Sequence, residues 1–448
     1  MTIDGGRVGV AVVVMTIIAL GAIVAWPSPA PVAADGREVV RFWHIWTGEW
    51  KVVVDRIVER FNRDQDRYQV VALSIPTASA EQKFLMSVAG GDPPDVMAQL
   101  EQVVPAWASQ GLIQPLEGMM AGDEWQAFQR DVYPVALKVG MYQGRLYALT
   151  IGINTWACFY RPDHLRDAGL ADRPFPESLE ELAAWGRRLH RHAPDGRLVR
   201  MGFWPTWVTQ YAPRFGGGWW DDAAQRLTLD TPANRAALEF VAGWAQELGF
   251  DRVVRFQSSL NTGGFATQWP FISGEYSIVM DGQWRIEQLA RYAPELVYAT
   301  APLPPAAGHS RGAGYAAANF LCIPTGARNA AGAFAFMRYW SGVDDPERAA
   351  EFHAWGGWLP SSPRVTAARA YQDYLRRFPQ MRTFVDILPS AELQTAPPVP
   401  YQVYLLDKIR RAEDAAVRGT KTPAEALADL ERAVGEEVER RARLGAPP

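Results

Sequence analysis

Val39-Val-Arg-Phe-Trp-His-Ile-Trp46 is followed by Thr47-Gly48, by a segment whose apolar residues Val53, Val54, Ile57, Val58 and Phe61 keep helical spacing, and by a second apolar run from Gln69 to Ile75. This order predicts strand, turn, helix and strand. A helix crossing between two strands makes the pair parallel, with a right-handed connection. Gly90-Gly-Asp-Pro-Pro94 then stops the next helix, and Asp95-Val-Met-Ala-Gln99 reads as a short third strand. The strand ends carry Trp46, Thr47 and the loop from Gln99 to Gln102 to one rim of the sheet, where ligands bind in open α/β folds.

A second stretch, Gln268-Trp-Pro-Phe-Ile-Ser-Gly-Glu-Tyr-Ser-Ile-Val-Met-Asp-Gly-Gln-Trp-Arg285, reads as helix end, turn, buried strand (Tyr276 to Met280) and second turn. Gly282 lets the chain turn after Asp281, and Trp284 and Arg285 follow at once. An indole there has a flat apolar face and one donor, suited to stacking on a sugar ring, or else it belongs to the core of the following helix.

Between these stretches, Tyr142 to Leu149 reads as turn and strand and Asn154 to Tyr160 as another strand. Ser178 with Glu181, and Thr231 before Pro232, signal helix starts. Phe203-Trp-Pro-Thr-Trp207 and Gly216-Gly-Gly-Trp-Trp220 set aromatics among glycines and prolines, which favours surface placement. Ala316 to Ile323 is a strand, Trp355-Gly-Gly-Trp358 a further candidate pocket turn, and Thr422-Pro423 with Glu425 the cap of a final charged helix. Gly312-x-Gly314-x-x-Ala317 follows a Pro/Gly-rich segment rather than a strand, so it is not a dinucleotide loop.

At 448 residues the chain exceeds one core and predicts two or three domains. Apolar residues at 48%, charged residues at 21% and a net charge of -4 exclude a disordered chain and argue against a nucleic-acid binder. The 18 tryptophans, many in turns, point to ligand contact. Cys158 and Cys322 could form at most one disulfide and lack metal-ligand spacing, and no cofactor or metal is indicated. Val8 to Trp26 is 19 residues without a charge, after Arg7 and before a Pro/Ala segment with a small-residue site at Val32-Ala33-Ala34. As a helix it would span about 28 Å, so a signal peptide and an uncleaved membrane anchor both stay open. Either places the rest of the chain outside the cytoplasm, in the periplasm or on the outer face of the cell membrane.

No Walker loop, Gly-x-Ser-x-Gly elbow, His-Glu-x-x-His helix or Cys/His cluster is present. One enzymatic reading remains, a secreted glycoside hydrolase, with a carboxylate pair drawn from Asp221, Asp222, Glu275 and Asp281.

Phe42-Trp-His with Phe61-Asn62, Gly90 to Val96, Gly111-Leu-Ile-Gln-Pro-Leu116, Phe159-Tyr-Arg-Pro-Asp163, Gln268-Trp-Pro, Gly282-x-Trp284 and Gly419-Thr-Lys-Thr-Pro-Ala-Glu-Ala426 occur in this order. Together they make nearly all of the chain after residue 37 resemble the solute-binding proteins of ABC importers, in the family of the maltose-binding protein. The resemblance implies an α/β, two-lobed periplasmic-binding-protein fold of type II. Each lobe would hold a mixed, mostly parallel sheet flanked by helices, with crossing strands as hinge.

After residues 1–36, lobe 1 would take 37–153 and 320–354, and lobe 2 would take 154–319 and 355–448, with C-terminal helices packing partly on lobe 1. It implies a carbohydrate ligand, an oligosaccharide, closure on binding, permease subunits as partners, and membrane contact only through an uncleaved N-terminus. Matching positions imply sugar contact at Trp46, Thr47, Gln99, Gln102, Asn154, Trp207, Trp219, Trp220, Trp284 and Tyr404. Asp281 and Arg285 beside the Gly-x-Trp position, and Trp355 and Trp358 from their turn, complete the expected site. Tyr160-Arg161 replaces the family's tyrosine-asparagine, and no recognisable set of polar residues specifies one sugar, which leaves open a tethered sensor or a binder of a non-sugar polar ligand.

Overall fold

The computed structural model describes residues 31–120, 122–260 and 269–445, so the apolar stretch 8–26 and Gln268 lie outside it. Among the described residues no helix is long and apolar enough to cross a membrane. The chain forms two compact units, one from the chain as far as Met97 with Ile323–Phe336, the other from Ala98–Cys322 and from Met337 onward.

In the first unit β1 (Glu38–His44), α1 (Gly48–Asp64), β2 (Tyr68–Ser74) and α2 (Thr77–Ala89) follow the predicted order, and β3 (Val96–Leu100) begins there. β1 pairs in parallel with β2 from Glu38↔Tyr68 to His44↔Ser74, and with β3 through Phe42↔Val96 and Trp43↔Met97. The helical spacing of Val54, Ile57, Val58 and Phe61 buries all four. Phe42 and Phe61 each meet Phe336 edge-on with ring centroids 5.2 Å apart. Asp95 is fully buried and accepts from the backbone N–H of Arg41 (2.8 Å) and of Asn329 (2.9 Å). Its carboxylate thus ties three separate segments, which is why the Pro-Pro-Asp stop is polar at its end.

The second unit is built on β4 (Ala148–Tyr160). β5 (Ile278–Gly282), β6 (Ala299–Ala301) and β7 (Gly314–Cys322) all pair with it antiparallel, whereas β8 (Leu393–Gln394) runs parallel to β7, so the sheet is mixed. β4 is one strand of 13 residues where the sequence suggests two. Gly152 does not break it, and a Cβ there would meet Trp358 at 3.6 Å in ordinary contact. β5 starts later than expected and takes in Asp281 and Gly282, opposite Ala157 and Trp156, so these two residues are strand rather than turn.

Alternation along β4 divides the unit's interior. Cys158 enters a core with Leu182, Phe203, Tyr211, Trp244 and Leu405, while Ile153, Ala157 and Phe159 enter a second with Phe271, Ile286, Tyr371 and Phe384. Helices α3 (Val208–Tyr211), α4 (Pro232–Leu248), α5 (Phe250–Ser259), α6 (Trp284–Tyr292), α7 (Gln402–Val417) and α8 (Pro423–Arg443) surround these strands. Thr231 caps α4, and Thr422 with Glu425 forms the capping box of α8, both as the sequence predicts. Cys158 and Cys322 are free and buried.

Candidate functional site

Trp156 is the centre of an aromatic cluster in the second unit. Trp284 and Trp207 meet it nearly perpendicularly, at 5.9 Å and 89° and at 6.2 Å and 81°, and Tyr315 lies 6.2 Å away at 46°. The strand register creates the first contact, because Gly282 pairs with Trp156 and Trp284 folds back over Gly282. A Cβ at Gly282 would come within 2.1 Å of the Trp284 ring, so the Gly-x-Trp spacing is a packing requirement. The Nε1 of Trp156 is buried without a hydrogen-bond partner, a group that costs free energy until a ligand or water pairs it.

Trp207 stands 46% exposed with φ 62°, a left-handed conformation uncommon for a residue with a side chain. Glu413 on α7 holds it, accepting the N–H of Trp207 and of Val208, each at 2.8 Å. Burial pushes the Glu413 carboxyl up in pKa, and the two backbone donors oppose that shift. Gln283, next to Trp284, is buried and donates to Asn154 Oδ1 at 2.8 Å, fixing the carboxamide midway along β4.

Of the residues expected from sequence, Asn154, Trp207 and Trp284 come together here. Trp220 is half-buried and lines a cavity of about 180 Å³ with Gln143, Gln225 and Gln394. Gln143 and Gln225, with Trp207, are the non-glycine residues of positive φ among those described, so the backbone strain gathers at candidate binding surfaces.

Other expected residues are taken up in packing. Trp219 is 1% exposed, in the core beside Phe203 and Trp244. Trp358 stacks on Trp340 at 5.9 Å, and Trp355 tilts against Phe352 at 5.3 Å at the end of a helix, not in a turn. Tyr404 donates to the carbonyl of Ala433 (3.1 Å), joining α7 to α8. Arg285 pairs with Asp281 at 2.7 Å and lies 4.4 Å over the Trp269 ring, so both charges are satisfied internally. Gln99 is buried and accepts from Leu100 N–H at 3.0 Å, and Gln102 is half-buried. In the first unit Trp46 is buried with its ring 5.9 Å from His44, and Thr47 is exposed before α1.

Sequence reading missed Trp156, Gln283, Tyr315 and Glu413. Trp156 was within reach, since it shares a strand face with Cys158 two residues on. Glu413 gave no local signal.

The carboxylates considered for hydrolysis each have a structural partner. Asp221 accepts two backbone N–H groups, Asp222 pairs with Lys138, Glu275 with Ser273, and Asp281 with Arg285.

The fold is the type II periplasmic-binding-protein fold, and solved structures superpose on it. The sugar-binding protein MalE from the phytopathogen Xanthomonas citri superposes with a TM-score of 0.74 at 22% identity, covering 91% of this chain and 98% of that one. Mannotriose-bound CpMnBP1 superposes with a TM-score of 0.75 at 22% identity, covering 88% and 99%. Residues 56–379 match the bacterial extracellular solute-binding proteins, and the chain belongs to that family. It is therefore a binding protein of the extracytoplasmic space rather than an enzyme.

Among relatives, the maltotriose-binding protein of Pyrococcus abyssi (strain GE5 / Orsay) is 23% identical over 278 residues, 61% of this chain and 55% of its own length. The sn-glycerol-3-phosphate-binding periplasmic protein UgpB of Yersinia pseudotuberculosis (serotype I, strain IP32953) is 24% identical over 422 residues, 87% and 89% respectively.

Proposed function

We propose that this protein is the substrate-binding subunit of an ABC importer, that it captures an oligosaccharide on the indoles of Trp156, Trp207 and Trp284, and that it delivers the sugar to membrane permease subunits. The carrying observation is the indole cluster itself, with one exposed indole clamped in a strained conformation and another folded over a glycine. Indole faces suit the apolar faces of sugar rings, and Asn154 offers a fixed carboxamide to hydroxyls. The maltotriose-binding relative and the mannotriose-bound structural neighbour support the ligand class.

A phosphate-bearing polyol, as the UgpB likeness suggests, would need a cation to meet it, and Arg285, next to Trp284, is already paired with Asp281. Titration of the intrinsic tryptophan fluorescence with maltotriose, mannotriose and glycerol 3-phosphate tests this reading. Saturable change with a sugar supports it, and response to glycerol 3-phosphate alone overturns it. The lobes 37–153 with 320–354 and 154–319 with 355–448 close around the sugar in this proposal, which a fall in radius of gyration on adding sugar would reveal. Export through residues 8–26, either cleaved as a signal peptide or kept as an anchor, is part of the same proposal, and mass spectrometry of the exported protein's N-terminus distinguishes the two.

A further inference from the structure

Trp207 borders more than the indole cluster. It also lines a groove of about 550 Å³ that runs between the segment from Trp204 to Trp207, helix α5 and helix α7. That volume falls within the range typical of small-molecule sites, roughly 300–1,000 Å³. One wall is apolar, with Phe250 and the exposed Val254; α7 contributes Arg410 and Arg411, and Arg418, just past its end, lies 5.4 Å over the Phe250 ring. Those arginines are partly offset on the protein itself. Arg410 and Arg411 share Asp407 at 3.1 and 2.7 Å, and Arg418 pairs with Asp414 at 2.8 Å. Each guanidinium still has N–H groups beyond those a single carboxylate accepts.

An apolar strip of Phe250 and Val254, the Gln257 amide and guanidinium N–H groups left over from their carboxylate pairs suit a hydroxyl-rich chain, whose rings pack on the strip while its hydroxyls accept from the donors. Trp207 borders both the groove and the indole cluster, and Glu413 from the groove's own wall sets the Trp207 backbone. We infer that the groove is a second subsite, which receives the outer units of a neutral oligosaccharide whose first units lie on the indoles. This rests on the sugar-binding reading above.

The test compares affinities for maltose through maltohexaose and for the mannose series of the same lengths, in the full chain and in Val254→Glu. Val254 is surface-exposed on α5 and distant in sequence from the cluster residues, so the change places a carboxylate in the groove without altering the core. In the unaltered protein affinity should rise at least tenfold from the disaccharide to the longer members of one series. In Val254→Glu that gain should vanish while disaccharide affinity stays within twofold. A length-independent affinity, or a gain that survives Val254→Glu, overturns the second subsite and leaves the first reading standing. Failure of every sugar to bind overturns both. Tighter binding of an oligogalacturonate than of any neutral chain, sensitive to Val254→Glu, would replace the neutral ligand with an anionic one.

Discussion

Gly282 and Trp284 act as one unit, since the indole occupies the space a side chain at Gly282 would fill. Trp284→Ala should therefore weaken sugar binding by about 1 to 3 kcal/mol, the loss typical of a buried aromatic hot spot, with little change in thermal stability. Calorimetric titration beside a melting curve measures both, and lost folding without a specific affinity effect would return Trp284 to the core. Gly282→Ala should act in the same direction by displacing the ring. The fluorescence emission of that variant should report altered tryptophan surroundings, whereas unchanged affinity would contradict the packing account. Glu413→Ala should likewise weaken binding, because the N–H groups of Trp207 and Val208 lose the carboxylate that accepts from them and the strained Trp207 backbone is released. Glu413→Gln, which keeps an acceptor oxygen, should recover part of that loss.

At the level of elements, β4 separates what the sequence made legible from what it hid. Helix starts at Ser178, Thr231 and Thr422 were readable because capping is settled within four residues. The β1–α1–β2 unit was readable because its periodicities are local. Tertiary packing decided the rest. Trp358 lies against Gly152 and lets β4 run on where the sequence suggests an end. Trp219 and Trp358, flanked by glycines as Trp207 is not, went inward, since glycine frees the backbone without choosing which way the neighbouring indole turns. Trp207 is instead held out by an acceptor 206 residues away.

The strands also predict a thiol result. Burial pushes Cys158 up to about 12 and raises Cys322 as well, so both should resist a thiol reagent in the native protein and two thiols should titrate on unfolding. Rapid native reaction would contradict the buried placement.

Across the whole molecule, His44, His164 and His353 are buried, and desolvation lowers each to a pKa of about 4. For a base with a lowered folded-state pKa, the stability gained is complete above the unfolded value near 6.5 and is lost as pH falls toward 4. Fully buried His353 alone carries on the order of 3 kcal/mol of this effect. Thermal melts should fall steeply between pH 6.5 and 4, and a flat profile would show that these imidazoles are hydrated.

The family was legible from ordered short segments spread along the chain, whereas the candidate ligand surface emerges only where β4, β5, α3 and α7 meet. The central claim is that this surface binds an oligosaccharide through its indoles. Calorimetric titration of maltotriose and mannotriose into the full chain and into Trp207→Ala tests it most directly, since the 46% exposed side chain can be removed without opening the core. The account predicts one-to-one binding of at least one of these sugars, with a negative heat-capacity change, weakened at least tenfold in Trp207→Ala. Equal affinity in both proteins, or no binding of either sugar, would contradict it.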